Sequence, residues 1–406
     1  VAAGPVHEAL AALDLVDHHC HGAVTHELDR TGFESLLTEG EAWPGVSPFD
    51  SPVGLAVRRH CAPLLDLPRH APADVYLARR AELGAEEVNR RFLRAAGTGV
   101  FCVDTGFAPD RVTTPAELAG AAGATAYEVV RLESVAEAVA ADGVEPDAYG
   151  AAFRTAAWEA VRRPGVVGVK SVAAYRTGFG LDPERPSPAE VTEAARRWLA
   201  RGGRLDDPVL VRHLLWTAVD LGRPLQLHTG FGDGDLRLHR ADPSLLTDWL
   251  RLTAGTVPVV LLHCWPFQRQ AAYLSAVFGQ VHLDVGLALH HVGPARAGTV
   301  LAEALEITPS ASCSTARTPT GWPSSTTWGR WPSGRGWPGC SRSGWTPTRW
   351  PWRTRCGSRG GRGATTRAGS TGCRAARWTG RRTTAERRGT HHSPGAPPGK
   401  QERLKV

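Results

Sequence analysis

Methionine is absent from all 406 residues, and lysine is nearly so: the first 307 residues contain one, Lys170. After Ile307 the absences multiply. Thr308 to Val406 contains no Asp, Phe, Tyr or Ile, and its only aliphatic residues larger than Ala are Leu404 and Val406. A segment this poor in apolar side chains cannot bury enough area to offset the entropy of ordering its backbone. Residues 308–406 are therefore expected to form a disordered, non-globular Arg/Trp/Gly-rich tail. That tail carries nineteen Arg or Lys against Glu386 and Glu402, a net +17; the whole chain is +7, so residues 1–307 are acidic at −10. The basic character belongs to the tail, and function is to be read upstream of it.

Other absences narrow the class. No run of eighteen apolar residues occurs, which argues against a spanning helix. The N-terminus lacks a charged stretch followed by an apolar one, so a cytoplasmic location without membrane partners is expected. Cys20, Cys61, Cys102 and Cys264 form no CxxC pair and read as reduced thiols. The missing Met, with Val1 in first place, suits a literally translated GTG start and equally a fragment.

Two origins compete for the tail. Arg359-Gly360-Gly361-Arg362-Gly363 has the look of an RNA-contacting arm, which would make the chain an RNA-binding protein. Alternatively, the tail is a GC-rich gene read in the wrong frame, as Arg, Gly, Pro, Ser, Thr and Trp become abundant together. If each true codon ends in the first two bases of the codon as written, Cys313 becomes an aliphatic residue or Met. Ser314, if encoded TC-, becomes an aliphatic residue or Phe, and an Asp is permitted across Arg317 and Thr318. The shifted reading yields an apolar strand ending in a polar turn, and it makes nucleic-acid binding the weaker reading.

What is present upstream is a regular alternation. Apolar runs at Leu13–Asp17, Val100–Asp104, Tyr127–Leu132, Val166–Val169, Leu225–His228, Val257–His263 and Val281–Val285 are separated by amphipathic helical patterns such as Ala189–Leu199 and Pro208–Leu221. Strands alternating with helices pair in parallel through right-handed crossovers. Seven at this spacing predict an α/β fold, a (β/α)8 TIM-type barrel over residues 1–307, truncated before strand eight where the tail begins. Residues 31–97 exceed a simple connection and predict a helical insertion over the barrel mouth, interrupted by Pro44, Pro48, Pro52, Pro63 and Pro68.

The chemistry-bearing residues fall at strand ends, where barrel active sites lie. His19 and His21, two apart, share one strand face and can converge on one ion. Alone, such a pair also suits a hydrogen-bonded strand end. His228 and His263 terminate later runs. Lys170 follows the fourth strand, where Arg would have served for surface charge; an amine there suits a carbamate or a contact to a substrate carboxylate. Tyr175 and Arg176 follow, and Arg176 can fork onto a carboxylate. Arg131 and Glu133 suit an internal ion pair as well as a substrate role. Asp104 and Asp284 read as structural. Gly230–Gly234 lacks the spacing of a phosphate loop and reads as a flexible loop.

This pattern resembles the amidohydrolase superfamily, most closely its amidohydrolase-related branch, which includes barrels fused to glutamine-synthetase-like modules. The resemblance covers roughly residues 5–307. It implies a divalent metal, Zn in type, held by His19, His21 and His228, with Lys170 as a catalytic group and His263 as a further ligand or a catalytic, carbonyl-polarising group. Arg176 and Tyr175 are expected from their own chemistry to bind substrate. The implied activity is hydrolysis of an amide or related C–N bond in a small molecule, with a carboxylate-bearing substrate compatible with Lys170 and Arg176; the alternative is non-oxidative decarboxylation of an aromatic acid. A homo-oligomer is compatible with this class. The family's Asp after strand eight has no counterpart as the chain is written, which implies impaired activity.

Overall fold

A computed structural model describes residues 15–41 and 44–314, all within one compact unit. Residues 315–406, the arm at 359–363 included, lie outside the described residues, as do residues 1–14.

Eight parallel strands lie in sequential order and curl into a TIM-type barrel. They are β1 (Leu15–Cys20), β2 (Thr98–Asp104), β3 (Thr125–Arg131), β4 (Val166–Ser171), β5 (Leu225–His228), β6 (Val259–Leu262), β7 (Val281–Asp284) and β8 (Cys313–Ser314). Parallel strands covered on both faces are buried throughout, which is why most appear in the sequence as unbroken apolar runs. β1 begins later than its apolar run and continues to Cys20, so His19 sits within the strand and His21 just past it. The register of β1 on β2 slips between Asp17 and Cys20, the stretch that carries the two histidines.

The eighth strand corrects the expectation of truncation. Cys313 and Ser314 pair with Leu283 and Asp284 of β7. Backbone N–H and C=O groups suffice for such a ladder, so two residues without apolar runs still extend the sheet. No β8–β1 pairing occurs among the described residues, although Ser314 Oγ lies 2.9 Å from His18 Nε2 of β1.

The covering helices begin where capping chemistry directs. At Pro188–Arg201, Ser187 and Glu190 form a reciprocal capping box behind a proline in the first turn. Val191, Ala194, Ala195 and Trp198 are its buried residues, a one-faced helical spacing turned to the core. At Pro208–Asp220, the Asp207 carboxylate accepts from the N–H groups of Val209 and Leu210.

Between β1 and β2 the chain runs through helices at Arg30–Ser35, Pro52–Ala56 and Ala73–Ala96. This stretch has its own apolar cluster, including Phe33, Phe49, Tyr76 and Phe92, in which Phe33 stacks on Phe49 at 5.1 Å. No described helix is long and apolar enough to cross a membrane.

Candidate metal centre

Four imidazoles meet at the C-terminal end of the strands. His19, His21, His228 and His263 are all fully buried. The ring of His19 lies 5.3 Å from that of His21 and 5.6 Å from that of His263, and His228 lies 4.6 Å from His263. Burial, the largest effect, pushes the His21 imidazolium down to about 3 and holds His19, His228 and His263 well below the usual histidine range. The rings are therefore neutral, the form that ligates metals.

Hydrogen bonds fix which nitrogen carries the proton in three of these rings. His19 Nδ1 is 2.8 Å from Gln226 Oε1, while the Gln226 amide donates to the His18 carbonyl at 2.7 Å; Nδ1 is thus the donor and Nε2 keeps the lone pair. His21 Nδ1 faces the Asp104 carbonyl at 3.3 Å, and His228 Nε2 the Phe231 carbonyl at 3.1 Å. A carbonyl only accepts, so the lone pairs fall on His21 Nε2 and His228 Nδ1. Both atoms, with both ring nitrogens of His263, are buried without a hydrogen-bond partner. Leaving such an atom unsatisfied costs about 1–3 kcal/mol, and a cation among them would offset that cost. The residues present fit a metal ion.

The most compact candidate ligand group among the described residues is His19, His21 and Asp104, whose ligand atoms lie within 4.8 Å of one another. His228, expected as the third ligand, stands outside that trio, against His263. Asp104, read from sequence as structural, stands within it. Its carboxylate takes the Arg131 guanidinium at 2.7 Å and lies 3.6 Å from Lys170 Nζ. Burial raises its pKa, but Arg131, Lys170 and His21 more than reverse this and leave it well below the usual carboxylate range. The ion pair of Arg131 is therefore with Asp104; Glu133 instead accepts from Ser171 Oγ at 2.6 Å and the Val172 N–H at 2.9 Å.

Lys170 is fully buried, with Nζ 3.0 Å from His19 Nε2. Burial brings its ammonium down to about 8, opposed by nearby Asp104. Tyr175 sets its ring 4.6 Å from His228, and its hydroxyl accepts from the Asp233 N–H at 3.3 Å. A Cβ on Gly232 would fall 2.1 Å from that hydroxyl, so glycine there serves close approach. Arg176 pairs with Glu137 at 3.1 Å, and its Nε and Nη1 are buried without partners. His263 adopts a left-handed backbone, φ +72, which costs a non-glycine residue about 1–3 kcal/mol. Its N–H donates to Asp284 Oδ2 at 3.0 Å, which helps hold that conformation.

Residues 16–313 match the amidohydrolase family (Amidohydrolase), and the chain belongs to it. Among curated proteins it is similar to Protein fluG of Emericella nidulans, 28% identical over 338 residues, which cover 73% of this chain and 38% of fluG. The chain thus spans well under half of that relative's length. Among solved structures it is similar to one from Lactobacillus casei ATCC 334 designated a metal-dependent hydrolase. That likeness has a TM-score of 0.68 at 27% identity and covers 82% of this chain and 88% of the other.

Proposed function

We propose that this barrel is a metal-dependent hydrolase of an amide or related C–N bond, acting on a small molecule with a zinc-type divalent ion as cofactor. The observation that supports this reading most is the set of neutral ring nitrogens on His21, His228 and His263 that are buried without a hydrogen bond, with Asp104 grouped beside His19 and His21. His19, His21 and Asp104 would hold the ion, and His228 Nδ1 offers a further ligand. An ion bound there supplies Lewis acidity, which polarises a carbonyl and lowers the pKa of water toward neutrality.

The chain's own groups divide the remaining work. His263, whose ring nitrogens make no hydrogen bond although Nδ1 lies 3.8 Å from Asp284 Oδ2, would hydrogen-bond the reacting carbonyl through Nε2. Lys170 places an amine at the centre of the site, where its protonated form would stabilise negative charge. Tyr175 and the unused nitrogens of Arg176 are the groups for a substrate carboxylate. Proton acceptance after β8 is the missing function, because no Asp follows Ile307. A frame slip near Thr308 would account for this, and the family match, which ends at residue 313, is in keeping with it. The nucleotide sequence around codons 300–320 decides that point.

The test of the metal reading is elemental analysis of the purified protein and of the double variant His19→Ala/His21→Ala. Expected is a divalent ion in the parent and its loss in the variant; equal metal content in both removes these histidines as ligands. Amide turnover to a carboxylate without release of CO₂ distinguishes hydrolysis from decarboxylation.

A further inference from the structure

A cavity of about 260 Å³ opens where the loops continue from His228 and His263, lined by Phe231, Trp265, Ala288, His291 and Val292. Its walls are extensions of the site. Phe231 lies three residues beyond His228, whose ring donates to the Phe231 carbonyl, and Trp265 lies two beyond His263. The loops after β5 and β6 touch backbone to backbone: Gly230 has φ +61, and a Cβ on it would fall 2.5 Å from the Trp265 carbonyl oxygen. The cavity is therefore held in fixed relation to the imidazoles.

The lining is uncharged and aromatic. Phe231 and Trp265 meet edge to face at 5.7 Å and 82°, and His291 packs on Phe231 at 4.8 Å. Burial brings His291 down to about 4, so its imidazole is neutral near pH 7. Phe231, Trp265, His291 and Val292 are half-buried, leaving the space open to solvent. An apolar cavity of about 150 Å³ accommodates benzene; this one is larger. Glu39, from the stretch between β1 and β2, lies 4.0 Å from His291 Nε2 and would repel a carboxylate at this rim.

We propose that this cavity is the specificity pocket of the site and receives an uncharged aromatic ring of the substrate. The proposal rests on the reading of the barrel as an enzyme, but it is tested by binding alone. Edge-to-face contacts with the two aromatic walls favour a flat ring over an aliphatic chain. The polar group to be attacked would project from the ring toward the imidazoles.

The experiment is ligand-observed NMR on the full 406-residue chain, with benzamide and acetamide as probes. Benzamide is expected to bind about tenfold or more tightly than acetamide, as burial of a phenyl ring implies. Ala288→Leu, which projects a branched chain into the cavity, is expected to abolish that difference. Because leucine at the buried Ala288 risks unfolding, Val292→Phe is the companion variant, with circular dichroism reporting the fold of both. Equal affinity for the two amides overturns the proposal, as does undiminished benzamide binding by both variants when folded. In His19→Ala/His21→Ala, ring discrimination is expected to persist. Its persistence in a parent protein that binds no metal would overturn the metal reading and leave this inference standing.

Discussion

His19 is held at both ends of its ring, by Gln226 at Nδ1 and by Lys170 at Nε2. Gln226 touches no candidate metal position but decides which nitrogen faces one. Replacing such an orienting partner typically weakens metal affinity by about 10–100-fold. Gln226→Leu is therefore expected to lose metal to a competing chelator at a concentration lower by about that factor, whereas Gln226→Glu, which keeps an acceptor, retains it. Identical chelator titrations for parent and Gln226→Leu would refute an orienting role. Asp104 carries a different weight, because its removal leaves Arg131 and Lys170 facing each other in a buried space. Asp104→Ala is expected to lower unfolding free energy by about 3–5 kcal/mol, the usual effect of breaking a buried pair, read by urea denaturation with and without added metal. A change below about 1 kcal/mol in both conditions would show that Asp104 does not neutralise the two cations. Neither residue announced itself in the sequence. An Asp ending a strand is common, and the one signal for Gln226 was its alternation with His228 in an otherwise apolar strand, which puts both on one face.

At the scale of elements, the loop after β5 shows how backbone fit positions the site. Gly232 admits the Tyr175 hydroxyl where a Cβ would stand 2.1 Å away. Gly232→Ala must displace either that tyrosine or the loop that carries Phe231, and overpacking of this kind costs about 1–3 kcal/mol. The expected outcome is a lowered urea midpoint that Tyr175→Phe largely rescues, since it removes the clashing oxygen. A Gly232→Ala midpoint equal to the parent's would mean that the loop relaxes freely. The glycine run suggested only flexibility from sequence, because close approach is a property of partners distant in the chain. The strands were more legible. Val166–Val169 and Leu225–His228 are apolar because both faces of a parallel sheet are covered, and helices at 188–201 and 208–220 follow from Ser187, Asp207 and the prolines behind them. β8 was illegible as the chain is written because Cys313 and Ser314 join the sheet through backbone pairing and short side chains, without an apolar run.

At the scale of the whole molecule, barrel closure bears on stability. Closing a sheet removes its exposed edges, and here the described residues provide β7–β8 pairing over two residues and no β8–β1 ladder. A strand of ordinary length at this place would also add inward side chains to the packed layers of the barrel. Each large side chain so buried contributes roughly 1.5–3 kcal/mol, against a total domain stability of about 5–15 kcal/mol. Under the proposed frame slip, a gene restored to the alternative frame past Thr308 is expected to give a protein with a higher thermal midpoint and a sharper transition than the 406-residue chain. It should also turn over amides about a hundredfold or more faster, the usual scale for regaining a general base. The two effects separate by experiment. Truncating the restored protein after the strand but before the Asp should keep the stability gain and lose the rate, while replacing that Asp by Asn should keep both the fold and the metal. Matching melting curves and turnover for the restored and 406-residue proteins would show that the barrel neither needs a longer eighth strand nor lacks its base.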